Sequence, residues 1–396
     1  MPQGRVVRVA GAMSGTSLDG VDVAVAEFWR EGPHERFRLL RWEHAAFPPA
    51  LRRRLQRLHE EPVPIAEVAQ AHWEVTAFTA TCLRRCCAAL GMSPSELEAI
   101  GFHGQTVYHE PAARHVRGYG IGLQLGSPAA LAQWLGTTVV GDFRSADLAL
   151  GGEGAPLVPL FDWAFLRSAE EFVVALNLGG VANVTVLPPG CRREEVRAWD
   201  TGPGNLWLDA AAEMLLGVPY DADGACARRG QLLAPLWERL LRIPYIEQSP
   251  PKSTGRELFS RAQLRELLQG LPVQTPAEDI LHTLTRFTAW SVAENLRRHA
   301  PGCTYMLVSG GGALNGFLLE CLCQELPQVC IERSEVVGIP VLAKEALCFA
   351  YLAYQALRGE PTNLPAVTGA RAATVLGVVA HPEGRPWQGF LPAGEG

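Results

Sequence analysis

Residues 11–22 constrain the fold of this chain most, because they form a polar, glycine-rich stretch between two apolar runs. The flanking runs, residues 6–10 and 23–28, alternate in polarity and are rich in β-branched residues, which favours β-strands. A cluster of glycine, serine, threonine and aspartate between two strands is typical of a turn. The sequence therefore predicts a β-hairpin whose turn carries three glycines, three hydroxyls and two carboxylates.

The residue types of this turn suit a nucleotide phosphate and its metal. Glycine lets backbone N–H groups approach a ligand closely. Ser14, Thr16 and Ser17 supply short donors, and the carboxylates of Asp19 and Asp22 are ligands that Mg²⁺ prefers. The segment has neither the lysine of a P-loop nor the strand-to-helix order of a dinucleotide fingerprint. The alternative interpretation is a tight turn with polar side chains and no ligand.

Composition limits the class of protein. A chain of 396 residues favours two domains, and 48% hydrophobic with 19% charged residues is typical of a globular protein with a large core. A net charge of −6 argues against a general nucleic-acid surface. No apolar run approaches the ~20 residues of a membrane span, no secretory leader is evident, and the ten cysteines lack zinc-site spacing. We expect a cytoplasmic protein with reduced, buried cysteines.

A second strand, glycine turn and strand occupy residues 172–176, 177–183 and 184–187. Two such hairpins predict an internally duplicated fold with one phosphate turn in each half. We expect an amino-terminal domain over 1–140, onto which residues from about 365 to 396 pack back. A carboxy-terminal domain over 141–364 would hold the second hairpin.

Strands and helices alternate along the rest of the chain, which predicts an α/β fold with mixed sheets. A capping box at Thr275 with Pro276 at N1 favours a helix that opens at residue 276 and extends to about 300. Residues 30–64, 142–159 and 199–205 are interpreted as polar or loop segments. The remaining predictions are helices at 68–90, Pro128–Leu135, Leu206–Leu216, 314–322 and 340–357, and strands at 98–102, 137–141 and 305–308.

Three further segments carry candidate chemistry. Gly310, Gly311 and Gly312 lie between a strand and a helix, where exposed backbone and the helix dipole favour an anionic ligand; the alternative is a close packing turn. Asp200 precedes a Gly-Pro-Gly turn, so its carboxylate could act as a general base or cap the turn. The cations and hydroxyls of residues 251–257 suit an anionic substrate group or a solvated loop.

Taken together, these pieces resemble the anhydro-N-acetylmuramic acid kinases, a family of the sugar kinase/heat-shock-70/actin superfamily. The resemblance extends from residue 11 to about 369. Nine ordered segments carry it: GAMSGTSLDGVD (11–22), GFHGQTVYHEP (101–111), QLGSP (124–128), VVGDFRSADLALGGEGAPLVP (139–159), LNLGGVANVT (176–185), DTGPGN (200–205), PPKSTGRE (250–257), SGGGALN (309–315) and AKEALCFAYLA (343–353).

The resemblance implies two duplicated actin/ribonuclease-H-like domains, with mixed central sheets and flanking helices, that bind ATP in the cleft between them. It implies Mg²⁺ as the metal, a homodimer and a small anhydro-muramic sugar as the substrate. The implied reaction hydrolyses the 1,6-anhydro bond and phosphorylates O6, giving N-acetylmuramic acid 6-phosphate and ADP in peptidoglycan recycling. Nucleic acid and membranes are not implied partners.

Residue roles follow from the resemblance position by position. The catalytic base is Asp200, and Asp19 is near the metal, through water. Implied contacts with the sugar come from Glu345, His103 and Arg144. Implied nucleotide contacts come from the first turn (Gly15, Thr16, Ser17, Leu18, Asp19, Gly20, Val21, Asp22), the second turn (Gly179, Gly180, Asn183) and the adenosine side (Gly310, Gly311, Gly312).

The sequence departs from the family pattern at two positions. Glu153 stands where glutamine is expected, and Val341-Leu342 precede the AKEA segment where an aspartate is expected. Three alternatives stay open: a kinase of the same fold acting on another sugar or a carboxylic acid, an ATP-driven binding module, and, because of the two departures, an enzyme that has lost its activity. The paired carboxylates Asp200 and Glu345 argue against a module that only grips a partner.

Overall fold

A computed structural model describes residues 5–15, 17–110, 119–255 and 258–384. The chain divides into two compact units. Unit 1 comprises the residues up to Phe165 and those from Ala343 onward, and unit 2 comprises Leu166–Leu342. These boundaries differ from the expected ones, because residues 141–165 and 343–364 pack within unit 1.

The described residues form strands and α-helices that alternate along the chain. The strands are β1 (Val7–Ser14), β2 (Gly20–Glu31), β3 (His34–Ala46), β4 (Ala99–Glu110), β5 (Ile121–Leu125), β6 (Val139–Gly141), β7 (Val173–Leu178), β8 (Val181–Leu187), β9 (Arg197–Pro203), β10 (Tyr305–Ser309), β11 (Cys330–Arg333) and β12 (Val378–Ala380). The helices are α1 (Pro49–Glu60), α2 (Ile65–Ala88), α3 (Pro128–Leu135), α4 (Ser145–Ala149), α5 (Val158–Leu166), α6 (Leu206–Leu216), α7 (Ala234–Leu241), α8 (Pro244–Glu247), α9 (Arg261–Leu268), α10 (Ala277–His299), α11 (Gly316–Glu325), α12 (Lys344–Ala356) and α13 (Pro365–Thr368).

The sheet of unit 1 has the order β12-β6-β4-β1-β2-β3, with β5 paired to the end of β4. Strands β1, β2 and β3 form an antiparallel meander. Strands β4 and β6 then continue the sheet in parallel with β1. A cluster of buried apolar side chains from this sheet and from α2 and α3 forms its core.

The sheet of unit 2 has the order β11-β10-β7-β8-β9. Strands β7, β8 and β9 form an antiparallel meander, and β10 and β11 add in parallel. The order matches β6-β4-β1-β2-β3 in unit 1, strand for strand, and α10 is the last helix before β10 as α2 is the last α-helix before β4. The structure confirms the predicted α/β class with mixed sheets, and the strand order recurs in the two units.

Helix α12 explains why residues beyond 342 belong to unit 1. The helix is buried along most of its length and packs on β1, β2 and β4. Gly11 and Gly101 are register partners on β1 and β4. A Cβ at either position would lie 1.9 Å from a backbone oxygen of α12, that of Ala346 or Phe349 respectively. Glycine at both positions therefore allows the helix backbone to touch the sheet.

Several local predictions are corrected by the structure. Residues 30–64 contain β3 and α1, residues 199–205 lie largely in β9, and α4 interrupts the loop predicted at 142–159. Thr275 does not cap α10, because its hydroxyl donates to Pro272 O and the N-cap is Pro276. Helices α3 and α6 have the predicted bounds.

Two global expectations can be compared with the described residues. Among the helices they form, none is both long enough and apolar enough to cross a membrane. All ten cysteines lie in the described part of the chain, where eight are buried and no disulfide joins any of them. Burial raises the thiol pKa of Cys86, for example, to about 12.

Candidate active site

The first glycine-rich turn joins β1 to β2 in unit 1. Leu18 has a left-handed backbone with φ +56°, and its side chain is buried. Ser17 and Asp19 are exposed, and Ser17 Oγ donates to Asp19 Oδ1 over 2.7 Å. Thr16, which the sequence also assigned to this turn, lies outside the described residues. The buried leucine thus anchors a turn in which Ser17 and Asp19 face solvent.

A buried polar pair supports this turn from β1 and β4. Ser14 Oγ lies 2.8 Å from Gly20 O and 2.5 Å from Gln105 Oε1, and its hydroxyl can donate to either oxygen. Gln105 Nε2 donates to Gly15 O over 3.1 Å. Gln105 is not among the residues predicted from the sequence to form the site. Its signal was an amide side chain shortly after the predicted buried strand 98–102, where a buried amide needs partners.

Glu345 lies at the amino-terminal end of α12. It is close to the carboxylates of the first glycine-rich turn, Asp19 and Asp22. Its pKa is raised by burial and by the negative charges of Asp22 and Asp19, whereas Lys344 and Arg144 act in the opposite direction. Asp22 Oδ1 also lies 3.2 Å from His44 Nδ1, which raises the pKa of His44. Unit 1 therefore brings the predicted sugar carboxylate together with the predicted phosphate turn.

His103 and Arg144 form a second pair in unit 1. Arg144 Nε and Nη2 lie 3.1 and 2.8 Å from His103 Nε2, and His103 Nδ1 lies 2.9 Å from Gly104 O. This geometry assigns the imidazole proton to Nδ1, with Nε2 as the acceptor. Burial and the Arg144 charge hold the pKa of His103 well below its usual range. Arg144 also interacts electrostatically with Glu345, so all three predicted sugar residues share one region.

The second glycine turn, Gly179-Gly180, joins β7 to β8 in unit 2. The backbone N–H groups of Gly204 and Asn205 donate to Gly180 O and Gly179 O, each over 2.8 Å. A Cβ on Gly204 would lie 2.2 Å from Gly179 O. The segment after Asp200 is therefore packed directly on the second turn, and only glycine fits at position 204.

The triple glycine also packs on the second turn. Gly310 has φ +85°, and a Cβ there would lie 2.7 Å from both Asn177 Oδ1 and Leu178 O. Gly311 and Gly180 have exposed backbone. Helix α11 begins at Gly316 after a short 3₁₀ turn, so the prediction of a helix start at residue 314, directly after the glycines, is wrong. What the glycines provide is close contact at Gly310 and open backbone at Gly311.

Asp200 lies on β9, and its neighbours across the sheet are polar. It is the register partner of Asn183 on β8, which is in turn the partner of Asn177 on β7. Directly opposed residues of an antiparallel sheet project from the same face, so these three side chains form one row. Asp200 is half-buried, and its Oδ2 accepts the Thr254 N–H over 2.8 Å. The carboxylate therefore has a fixed orientation.

Each unit groups predicted site residues around one glycine-rich turn. Unit 1 holds the first glycine-rich turn beside Glu345, Arg144 and His103, and unit 2 holds the second glycine turn, Gly179-Gly180, beside the β9 segment that carries Asp200. Among the described residues, no group of three or more histidine, cysteine, aspartate or glutamate side chains could hold a metal ion by itself.

Comparison with known proteins agrees with the resemblance. The family model described as anhydro-N-acetylmuramic acid kinase matches residues 7–382. A protein of that name from Thiobacillus denitrificans is 42% identical, over 94% of this chain and 96% of its own length. Proteins of the same name from Gloeobacter violaceus and Salinibacter ruber are each 41% identical over 94% of this chain, covering 98% and 96% of their own lengths. The chain belongs to the anhydro-N-acetylmuramic acid kinase family.

Proposed function

We propose that this chain uses ATP and water to convert 1,6-anhydro-N-acetylmuramic acid into N-acetylmuramic acid 6-phosphate and ADP. The observation that carries the proposal is Asp200, a half-buried carboxylate oriented by a backbone N–H and placed beside a glycine cradle. Membership of the family supports the substrate. The proposal includes a cytoplasmic role in peptidoglycan recycling. It also includes a homodimeric enzyme, and light scattering would test that oligomeric state.

Asp200 is the proposed general base. Its carboxylate takes a proton from a water molecule, whose oxygen bonds to the anomeric carbon of the sugar. The bond between that carbon and O6 breaks, and O6 keeps the electron pair. O6 then bonds to the γ-phosphorus as the bond from phosphorus to the ADP oxygen breaks. A carboxylate held by the Thr254 N–H is preorganised for this proton transfer.

The backbone around the two glycine turns is the proposed nucleotide-binding element of each unit. A Cβ on Gly204 or Gly310 would collide with neighbouring backbone, whereas the backbone of Gly180 and Gly311 is exposed. These residues therefore fit a ligand that approaches the main chain. Mg²⁺ bound with ATP neutralises phosphate charge. Asp19 offers an exposed carboxylate already bonded to Ser17, which fits contact with the metal through water.

The sugar is assigned to Glu345, His103 and Arg144. These groups present a carboxylate, a neutral imidazole and a guanidinium, which together can accept from and donate to the hydroxyl, amide and carboxylate groups of a muramic sugar. Neutral His103 holds Arg144 by accepting from it, and Arg144 Nη1 donates to Gly154 O over 2.6 Å. The guanidinium is therefore fixed in direction before a ligand arrives.

Asp200→Asn tests the proposal. The amide keeps the shape of the side chain but cannot take a proton, so we expect turnover to fall by about 10²–10⁴-fold while ATP binding persists. ADP release with 1,6-anhydro-N-acetylmuramic acid measures turnover, and calorimetry measures ATP binding. The control is Glu213→Gln on α6, where an exposed carboxylate pairs with Arg261.

The substrate panel separates the alternatives. The proposed reaction needs O6 as a leaving group, so the anhydro sugar should be strongly preferred over N-acetylmuramic acid. Turnover of another sugar alone would make the chain a kinase with a different substrate. ATP binding with no ADP release on any sugar would indicate a binding module. Near-normal activity of Asp200→Asn would remove Asp200 as the base.

A further inference from the structure

A short segment of unit 2, residues 252–254, contacts both the backbone and the carboxylate of Asp200. The N–H of Asp200 donates to Lys252 O over 3.3 Å, and the Thr254 N–H donates to Asp200 Oδ2 over 2.8 Å. The hydroxyl of Tyr245, on α8, donates to Asp200 O over 3.0 Å. Asp200 is therefore held at its amide, its carbonyl and its side chain.

The side chain of Lys252 connects these contacts to α8. Lys252 Nζ donates to Tyr245 O over 3.1 Å and to Ile246 O over 3.2 Å. The ammonium also lies 4.7 Å from the centre of the Tyr245 ring, at cation–π distance. The sequence suggested an anion-binding or solvated lysine here, but its N–H groups bond the protein's own carbonyls.

We propose that Lys252 and Tyr245 are positioning residues that hold the general base Asp200 in its reactive orientation. The inference rests on the proposed role of Asp200. Lys252 anchors the segment that contacts the amide and carboxylate of Asp200, and Tyr245 anchors its carbonyl. Because a displacement of about 1 Å can cost about 10²-fold in rate, loss of either anchor should lower kcat.

Because Lys252 titrates, the hydrogen bonds of its ammonium to Tyr245 O and Ile246 O depend on pH. Burial and the nearby Arg298 charge lower the pKa of Lys252 to about 8, against the effect of Asp200. The groups around it are Asp200 on β9, Tyr245 on α8, and Arg298 and His299 on α10. Above pH 8 the neutral amine donates weaker hydrogen bonds, so we expect kcat to fall there.

Stability should respond to the same titration with the opposite sign. The pKa of Lys252 in the folded chain lies below its ordinary value of 10.5, so between about pH 8 and 10.5 the unfolded chain binds the extra proton. The contribution of Lys252 to the free energy of unfolding therefore rises with pH in this window. A loss of activity above pH 8 that is caused by deprotonation of Lys252 is thus distinguishable from unfolding.

The test compares Lys252→Met, Lys252→Arg and Tyr245→Phe with the native enzyme, using ATP and 1,6-anhydro-N-acetylmuramic acid from pH 6.5 to 9.5. For Lys252→Met and Tyr245→Phe we expect kcat to fall at least tenfold, with KM for ATP within twofold. Lys252→Met should also lose the decline near pH 8, and Lys252→Arg should keep activity above it. Tyr305→Phe is the control. Tyr305 lies at the end of β10 that is remote from Gly310, and its hydroxyl contacts Glu332.

The outcomes separate the two proposals. If Asp200→Asn is inactive but Lys252→Met and Tyr245→Phe keep native kcat and the native pH profile, the positioning role is wrong and the base assignment stands. If Asp200→Asn keeps near-native kcat, Asp200 is not the base and the positioning role fails with it, and if the native enzyme releases no ADP with the anhydro sugar, the proposed function fails. Should Lys252→Met not fold, Tyr245→Phe alone decides, since it removes one oxygen and leaves the ring in place. A rise in KM with unchanged kcat would also overturn positioning.

Discussion

At the scale of single residues, Gly310 combines two constraints. Its φ of +85° costs an L-residue about 1–2 kcal/mol, and a Cβ would also meet backbone and side-chain oxygens of the second turn at 2.7 Å. For Gly310→Ala we expect the free energy of unfolding to fall by roughly 2 kcal/mol or more, and ATP affinity to fall at least tenfold. Urea unfolding and calorimetry measure the two effects.

Gly217 provides a matched control in the same unit. It has φ +69° at the end of α6, and a Cβ there would meet nothing within 4 Å. Gly217→Ala should therefore cost only the strain of a left-handed backbone, about 1–2 kcal/mol, and leave ATP affinity unchanged. If both variants bind ATP as the native chain does, Gly310 has no part in the nucleotide site.

At the scale of elements, a buried ion pair fixes the start of α12. Lys344 Nζ lies 3.3 Å from Asp162 Oδ1 of α5, with 4% and 1% of the two side chains exposed. Lys344→Met would leave the buried aspartate without this counter-charge, which typically costs about 3–5 kcal/mol. Because Glu345 is the next residue, turnover should fall as well. Urea unfolding and ADP release provide the two measurements.

The double variant Lys344→Met/Asp162→Leu distinguishes charge from shape. Replacing both partners of a buried pair by apolar residues is often neutral, so we expect most of the lost stability to return. A double variant whose loss equals the sum of the two single losses would show that the pair is not coupled. Recovery of turnover along with stability would attribute the activity loss to the placement of α12.

The bounds of elements could be predicted where local signals are strong. Helix α3 begins after Ser127, whose side chain caps Ala130 N, and ends at left-handed Gly136. Strand β3 was missed because charged residues interrupt its apolar pattern; Arg38, for example, pairs with Glu27 on β2. Strand β9 was missed because its Asp-Thr-Gly-Pro end has the composition of a turn. In both strands, pairing with neighbours outweighs local preference.

Candidate site residues, like element bounds, could be selected from the sequence only where their signal is local. Glycine turns and an aspartate before Gly-Pro-Gly are local patterns, so Gly179, Gly310 and Asp200 could be selected from the sequence. The contacts of Lys252 and Gln105 could not, because their partners are set by the packing of segments distant in sequence. Tertiary placement decides whether a lysine binds a ligand or the protein's own carbonyls.

At the scale of the whole molecule, buried neutral histidine makes stability depend on pH. The folded pKa of His103 is well below its ordinary value of 6.5. As pH falls below 6.5, the unfolded chain therefore binds a proton that the folded chain does not, and the free energy of unfolding decreases. One such group contributes at most about 1.4 kcal/mol per pH unit. Urea unfolding at pH 7.5 and 5.5 measures the decrease.

His103→Gln should make this dependence shallower by about one proton, because glutamine can accept from Arg144 and does not titrate. The paired His44 acts in the opposite direction, since Asp22 raises its pKa and protonation therefore stabilises the fold. If the native chain and His103→Gln lose the same stability between the two pH values, His103 is not the buried neutral group described here.

The packing of α12 on β1 and β4 also bears on how the chain folds as it is synthesised. A ribosome produces strands β1 to β6 of unit 1 first, then all of unit 2, and only afterwards α12 and β12 of unit 1. At roughly 5–20 residues per second, the sheet face with Gly11 and Gly101 stays uncovered for many seconds. Unit 2 is continuous in sequence, so it can complete its core before unit 1, although unit 1 contains the amino terminus.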